Sequence, residues 1–247
     1  MPEPLLPPRS MEVSDVMDAA KRVFLATLAK GLPLAMFGVL CSQLAAMYWL
    51  TTGKSLAFTE PRDTTFWALA LVGLAGYQLL AGALMVRQRK IVAGVKPELA
   101  AEFSAAFGRW PALMVTGLLA GASFFLGTLL LLLPGIFVLV CTLLQRPVVL
   151  FEKVDPVQAL KRCVQLVRPH FWKVMAVGVI ALLIAVVCLL GAGALLGLVN
   201  ALLGLLGVQA AVLNAFGVAC MLGFEAVAIV YFSAVWLALY SAASSSA

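Results

Sequence analysis

The chain has 247 residues, of which 64% are hydrophobic and only 11% are charged, and its formal net charge is +6. Soluble domains carry about 25% charged residues, so a soluble globular fold is excluded and the bilayer must be the solvent. The basic excess does not indicate nucleic-acid binding, because no separate basic domain exists to carry it. We therefore expect an all-α, polytopic integral membrane protein.

The first ten residues contain four prolines and are predicted to be a disordered segment. No cleavable signal peptide is expected, because charged residues such as Asp15, Lys21 and Arg22 interrupt the stretch before residue 30. Either Met1 or Met11 could be the true start. Residues 11–247 are predicted to form a single six-span membrane domain.

Six apolar segments are long enough to cross about 30 Å of hydrocarbon, which requires roughly 20 residues. The turn between the third and fourth is predicted at Pro134-Gly135, either as a tight periplasmic hairpin or as a kink. We favour the hairpin, because it places Arg146 and Lys153 on the cytoplasmic side. Residues 198–217 are ambiguous, and an interfacial helix with Asn200 and Asn214 near water is one interpretation. The predicted spans are about 32–50, 66–86, 110–130, 133–150, 171–196 and 218–240.

The cations give the orientation of these spans. Of the 17 Lys and Arg, all but Lys54 and Arg62 lie before the first span, between spans two and three, or around the junction of spans four and five. No Lys or Arg follows Lys173. By the positive-inside rule, both termini are predicted to be cytoplasmic, in a bacterial inner membrane.

A short amphipathic elbow helix is predicted on the cytoplasmic side before each odd-numbered span. Before span five, Asp155-Pro156 is a strong helix start, and an apolar stripe is opposed by a face that contains Lys161, Arg162 and Arg168. Before span three, Pro97 starts the helix, and Glu98, Glu102 and Arg109 lie off the stripe. The first elbow is predicted to start at Ser14 or Asp15, with Asp18, Lys21 and Arg22 on its polar, solvent-facing side. The predicted stripes are Val157, Leu160, Val164, Val167 and Phe171; Leu99, Phe103, Ala106 and Trp110; and Val16, Ala20, Val23 and Phe24.

The elbows also suggest a threefold repeat of elbow plus helical hairpin. Residues 19–40, "AAKRVFLATLAKGLPLAMFGVL", overlay on residues 159–180, "ALKRCVQLVRPHFWKVMAVGVI", and share Lys-Arg and a glycine within the span. The middle copy matches only in pattern. The alternative is that basic amphipathic elbows resemble one another without a repeat.

Residues 144–180, "LQRPVVLFEKVDPVQALKRCVQLVRPHFWKVMAVGVI", carry a family resemblance. This stretch resembles the six-helix membrane-domain superfamily that includes the membrane domain of glycerophosphoryl diester phosphodiesterases and related uncharacterised bacterial inner-membrane proteins. The resemblance implies a helical inner-membrane protein. The phosphodiesterase activity belongs to a separate soluble barrel domain, for which this sequence has no spare length, so the activity does not carry over.

Glu225 is the only charged residue after Lys173 and lies inside the sixth predicted span. An ionised carboxylate there is costly, so we expect it to be protonated or paired, with Gln43 or Gln78 among the candidate partners. Three interpretations stay open: a proton or substrate site, a neutral hydrogen-bonded contact between helices, and a side chain that reaches the interface.

Basic groups at the cytoplasmic ends of the spans are candidates for binding anionic lipid or a protein partner, although topology alone could explain them. His170 and the five scattered cysteines form no metal or redox motif, and no nucleophile or phosphate-loop motif is present. We therefore expect no enzyme activity, cofactor or metal.

The predicted function is a non-enzymatic membrane module that interacts with lipid or a partner through its basic face; the alternative is a small transporter or channel that uses Glu225. Association of copies into a homo-oligomer is left open. The basic candidates are Lys21, Arg22, Arg87, Arg89, Lys90, Lys161, Arg162 and Arg168.

Overall fold

The computed structural model describes residues 11–52, 63–130, 132–206 and 209–245. Within these ranges every regular element is a helix and no strand occurs, so the predicted all-α class is confirmed. The predicted disordered segment 1–10 and the loop cations Lys54 and Arg62 lie outside the described residues. The helices are α1 (Val13–Ser42), α2 (Leu44–Thr51), α3 (Thr64–Val92), α4 (Leu99–Phe107), α5 (Trp110–Leu130), α6 (Leu132–Thr142), α7 (Gln145–Phe151), α8 (Pro156–Val167), a 3-10 turn (Arg168–His170), α9 (Phe171–Leu205) and α10 (Ala210–Ser245).

Five helical segments of the described chain are long and apolar enough to cross a membrane, so the chain is a multi-pass membrane protein. They are α1, α3, α5, the continuous segment from α8 through α9, and α10. The fourth predicted span is instead a shorter apolar segment that is broken between α6 and α7. Pro147 explains the break, because a proline ring clashes with the carbonyl group four residues earlier, which here belongs to Leu143.

The chain reverses tightly between α5 and α6. α5 ends at Leu130 and α6 begins at Leu132. Gly135 approaches the backbone and hydroxyl of Thr128 so closely that a Cβ at this position would clash with them. This is the geometry of a hairpin rather than of a kinked helix.

α9 and α10 are longer than the spans predicted for them. They contain 35 and 36 residues, which at 1.5 Å per residue is about 52–54 Å, well beyond about 30 Å of hydrocarbon. Neither proline nor charge interrupts the chain between Lys173 and Glu225. Asn200 therefore lies within α9 and Asn214 within α10, and no separate interfacial helix forms there.

The core is built around α1, α3 and α10. Close packing depends on glycine where α3 meets α1, because a Cβ at Gly73 would clash with the backbone carbonyl of Cys41. Gly31 likewise lies against Leu84 of α3 and Val230 of α10. α7 packs into this core, where Val148 and Val149 are fully buried.

The elbows differ from their predicted form. The first is continuous with the span that follows it, since α1 runs from Val13 through Pro33 to Ser42 without a break. On α8, the predicted stripe residue Val167 is buried, but Val157 and Val164 are exposed, and the other core contacts come from Ala159, Cys163 and Leu166. α8 therefore has a core face, a second apolar face and a polar face.

The second elbow buries a charged side chain that lies off its predicted apolar stripe. On α4, Glu102 is fully buried together with Ala106, whereas the predicted stripe residue Leu99 is 55% exposed. Glu102 can be buried because an ion pair with Arg87 of α3 offsets the free-energy cost of removing its charge from water. Apolar spacing alone could not reveal a partner so distant in sequence.

Candidate functional site

Glu225 and Gln43 meet between α10 and the junction of α1 with α2. Gln43 Nε2 donates a hydrogen bond of 3.3 Å to Glu225 Oε2. Gln43 is presented here because α1 ends at Ser42 and α2 begins at Leu44, which leaves Gln43 at the bend. Both side chains are half-buried, so an intramembrane carboxylate and an amide share one partly enclosed position.

The pair lies at the wall of a groove between α9 and α10. The groove has a volume of about 930 Å³, and its walls are mainly Leu, Val, Ala, Gly and Phe side chains. Besides Gln43 and Glu225, its polar lining residues are Asn200 and Asn214. Asn200 Oδ1 is buried with no hydrogen-bond partner among the described residues. This combination of a long apolar surface and a few polar groups is typical of a site for a small amphiphilic ligand.

The polar pair is far from the basic end of the bundle. Lys30 of α1 marks that end, because its carbonyl accepts a hydrogen bond of 2.7 Å from Arg87. Gln43 lies about 20 Å farther along the chain at the rise of an α-helix. The site is therefore roughly two-thirds of the way across a hydrocarbon layer that begins at Lys30.

Gln78 is not part of this site. Its Nε2 lies 3.0 Å from the position that a Cβ at Gly117 would occupy, so it packs against α5. Its Oε1 is buried without a partner in the part of the chain that the structure describes. The three intramembrane candidates thus divide into one interacting pair and one separate amide.

The eight basic candidates fall into two groups. Lys21, Arg22, Arg89, Lys161 and Arg168 are exposed. The other three are less accessible: Arg87 is buried, Lys90 is half-buried, and Arg162 forms an ion pair of 3.1 Å with Glu152. Arg89 also lies 4.2 Å above the centre of the Phe151 ring.

Arg87 holds α4 against the bundle. Its Nε is 2.6 Å from Glu102 Oε2, and its Nη1 donates to the Lys30 carbonyl. Glu102 Oε1 in turn accepts a 3.0 Å hydrogen bond from the backbone N–H of Glu98. Because this network satisfies both charges, Arg87 is not part of the exposed basic surface.

A second buried polar contact joins three helices at nearly the same depth. Gln88 Nε2 donates to Thr27 Oγ1 at 3.3 Å and to the Val230 carbonyl at 3.0 Å. Thr27 donates to the Val23 carbonyl of its own helix. This contact ties α1, α3 and α10 together, and its residues are too buried to bind a ligand.

The sequence analysis missed two further groups of polar residues. For Asn200 and Asn214 an interfacial helix was one interpretation, and they instead line the groove; the unbroken apolar run around them was the available signal. Arg146 was used only to fix topology, yet its Nε is buried without a partner in the described chain. The adjacent Pro147, which breaks the span, could have indicated that Arg146 faces the interior.

No cluster of three or more His, Cys, Asp or Glu side chains suited to a metal ion occurs among the described residues. His170 lies in the 3-10 turn between α8 and α9. No family model, no curated protein and no solved structure matches this chain. The resemblance to the six-helix membrane-domain superfamily therefore stays a prediction.

Proposed function

We propose that this chain is a non-enzymatic inner-membrane protein that binds an amphiphilic, lipid-like ligand in the groove between α9 and α10. The observation that carries the proposal is the Glu225–Gln43 pair at the wall of a large, mainly apolar cavity. The carboxylate and three amides of the groove favour a ligand whose polar end donates hydrogen bonds or carries a positive charge. The apolar walls suit acyl chains. Phosphatidylethanolamine has both properties.

The basic elbows support contact with the headgroup layer as a second part of the same function. Lys161 and Arg168 are exposed on and just after α8, and Val157 and Val164 are exposed on the same helix. An interfacial helix of this kind buries its apolar side chains at the acyl boundary and places its cations beside anionic headgroups. We propose that this face is cytoplasmic, because the cations concentrate there.

A pair of glycine variants tests the groove. Gly193 lines the groove and Gly191 does not, yet a Cβ at either position meets no atom within 4 Å. Gly193→Leu should therefore fill the groove without disturbing the fold, and Gly191→Leu is its matched control. The full chain is reconstituted in nanodiscs of phosphatidylethanolamine and phosphatidylcholine, and retained lipid is measured by native mass spectrometry.

Wild-type protein should retain phosphatidylethanolamine in preference to phosphatidylcholine. Gly193→Leu should lower this retention at least fivefold, and Gly191→Leu should leave it unchanged. Glu225→Gln keeps the shape of the side chain but removes its charge, and should abolish the preference between the two lipids. Equal retention by the two glycine variants would contradict the proposal.

Transport is a second candidate function, favoured by one observation. Phe232 of α10 lines both the Glu225 groove and a separate, smaller cavity deeper in the bundle. A ligand that passed this ring would have a route between the two spaces. Flux of fluorescent phosphatidylethanolamine between leaflets of proteoliposomes, compared between wild type and Glu225→Gln, distinguishes a transporter from a binding module.

A further inference from the structure

The smaller cavity lies beside the break between α6 and α7. It has a volume of about 330 Å³ and is bounded by α3, by both halves of the broken segment and by α10. Unlike the groove, it has hydrogen-bonding side chains at six of its ten lining positions, although apolar atoms supply most of its surface. These six side chains are Tyr77, Thr142, Gln145, Arg146, Ser233 and Trp236.

Arg146 gives this cavity a positive charge without a protein counter-charge. No Asp or Glu lines the cavity, and Arg146 forms no ion pair within the described ranges. The guanidinium carbon lies 5.3 Å from the centre of the Tyr77 ring. That ring contact is the one interaction found for a guanidinium whose Nε is buried.

The cation lies at membrane depth. Tyr77, which it contacts, precedes Arg87 by ten residues, about 15 Å along α3. A charge at this depth is costly unless it pairs with an opposite charge or faces a polar cavity. Since the described protein supplies no such charge, the cation faces a polar cavity that can hold water or an anionic ligand.

The neighbouring side chains are matched to an oxyanion. Ser233 and Thr142 donate their hydroxyl protons to the carbonyls of Val230 and Leu139. The N–H and O–H groups of Gln145, Tyr77 and Trp236 have no acceptor in the described chain. The cavity therefore offers a cation and three free donors without an anion, together with the acceptor oxygens of Ser233, Thr142 and Gln145, whose Oε1 is buried without a partner in the described chain. A guanidinium binds phosphate with two parallel hydrogen bonds, which makes phosphate the best-suited oxyanion.

We propose that this cavity is a phosphate-binding site, with Arg146 as its counter-charge and Tyr77, Gln145 and Trp236 as additional donors. The phosphate can come from an anionic lipid headgroup or from free phosphate, because both present the same oxygens. The site uses residues separate from the Glu225–Gln43 pair, so a negative result at one site does not decide the proposal for the other.

The test uses the full chain in phosphatidylcholine nanodiscs. Inorganic phosphate is titrated by isothermal calorimetry, and retention of added phosphatidylglycerol is measured by native mass spectrometry. Arg146→Gln should weaken binding at least tenfold. Arg109→Gln is the control, because Arg109 is half-buried on the turn after α4 and lines neither cavity; it should bind within twofold of wild type.

The two arms identify the source. Arg146-dependent binding of inorganic phosphate indicates a soluble ligand, and Arg146-dependent retention of phosphatidylglycerol alone indicates a lipid headgroup. The proposal is overturned if wild type binds neither probe, or if Arg109→Gln loses as much binding as Arg146→Gln. If Arg146→Gln does not fold, Trp236→Phe and Tyr77→Phe each keep an aromatic ring and remove one N–H or O–H donor. Each should weaken binding at least threefold, and unchanged affinity in both would overturn the proposal.

Discussion

Removing the Glu102 carboxylate is the sharpest test of how this bundle is held together. In Glu102→Ala, the Arg87 guanidinium keeps its hydrogen bond to the Lys30 carbonyl but loses its only ion pair in the described chain. Glu102 is fully buried and Arg87 is 9% exposed, so water can compensate only part of the loss. Breaking a buried pair on one side costs about 3–5 kcal/mol. We expect the free energy of unfolding to fall by this amount.

The double variant Arg87→Met with Glu102→Leu tests whether the loss of stability comes from leaving the Arg87 charge unpaired and buried. Replacing both charges by apolar groups of similar size removes the attraction and the desolvation cost together, and is often neutral or stabilising. We therefore expect the double variant to be at least 2 kcal/mol more stable than Glu102→Ala, where about 2 kcal/mol is the smallest difference consistent with an uncompensated buried charge.

The assay is reversible unfolding in mixed detergent micelles, followed by circular dichroism. Glu98→Ala is the matched control, because it removes one carboxylate from the N-cap of the same helix at an exposed position and should change stability by less than about 0.5 kcal/mol. If Glu102→Ala unfolds no more easily than Glu98→Ala, then α4 is not held by the buried pair and the reasoning is refuted.

Three further predictions concern packing, buried polarity and accessibility. Gly73→Ala should destabilise the bundle by about 1–3 kcal/mol through the clash between α3 and α1, whereas Gly191→Ala should leave the thermal midpoint in detergent unchanged or slightly higher. Gln88→Leu should cost about 1–3 kcal/mol, because it removes the buried hydrogen bonds that join α3 to Thr27 of α1 and to the Val230 carbonyl of α10; an unchanged unfolding midpoint would contradict this. In detergent, a maleimide should label the exposed Cys188 but reach the 1% exposed Cys163 only after denaturation; equal labelling rates would refute the packing of α8.

Much of the fold follows from simple patterns in the sequence. The low content of charged residues and the long apolar runs predict a helical multi-pass protein. Five helical segments of membrane-spanning length are present in the described chain. The Asp155-Pro156 signal predicts the start of α8 correctly, because an N-cap acid followed by proline is a local preference that tertiary contacts do not override.

The errors have a common physical cause. The predicted stripe of the first elbow is buried at Val16, Ala20 and Val23, whereas Leu99 of the second and Val157 of the third are exposed. Apolar periodicity does not distinguish burial against protein from exposure to lipid. In a bilayer both environments are apolar, so Val157 and Leu99 face outward at no cost. Conversely, the burial of Glu102 depends on Arg87, a contact between two helices that no local pattern encodes.

The candidate site could be predicted only in part from the sequence. Glu225 stands out because it is an isolated charge in an apolar run, and Gln43 because it is a polar residue at a similar depth. Their cavity depends on how far α9 and α10 separate, which is set by packing along both helices. Arg146 was harder to find, because its position near a span end suggested an interfacial cation.

Glu225 and Arg146 are arranged differently from the ion pair between Arg87 and Glu102, because they line separate cavities instead of pairing with each other. Arg87 and Glu102 show how this fold treats a pair with a purely structural role, since Arg87 Nε and Glu102 Oε2 lie 2.6 Å apart and both residues are buried. Glu225 and Ser233, which lines the Arg146 cavity, are eight residues apart on α10, about 12 Å, and Phe232 lies at the boundary of both cavities. Two opposite charges held apart at membrane depth forgo their mutual attraction. Such an arrangement is stable only if each charge is neutralised within its own cavity, by protonation, hydrogen bonding or a ligand of opposite charge.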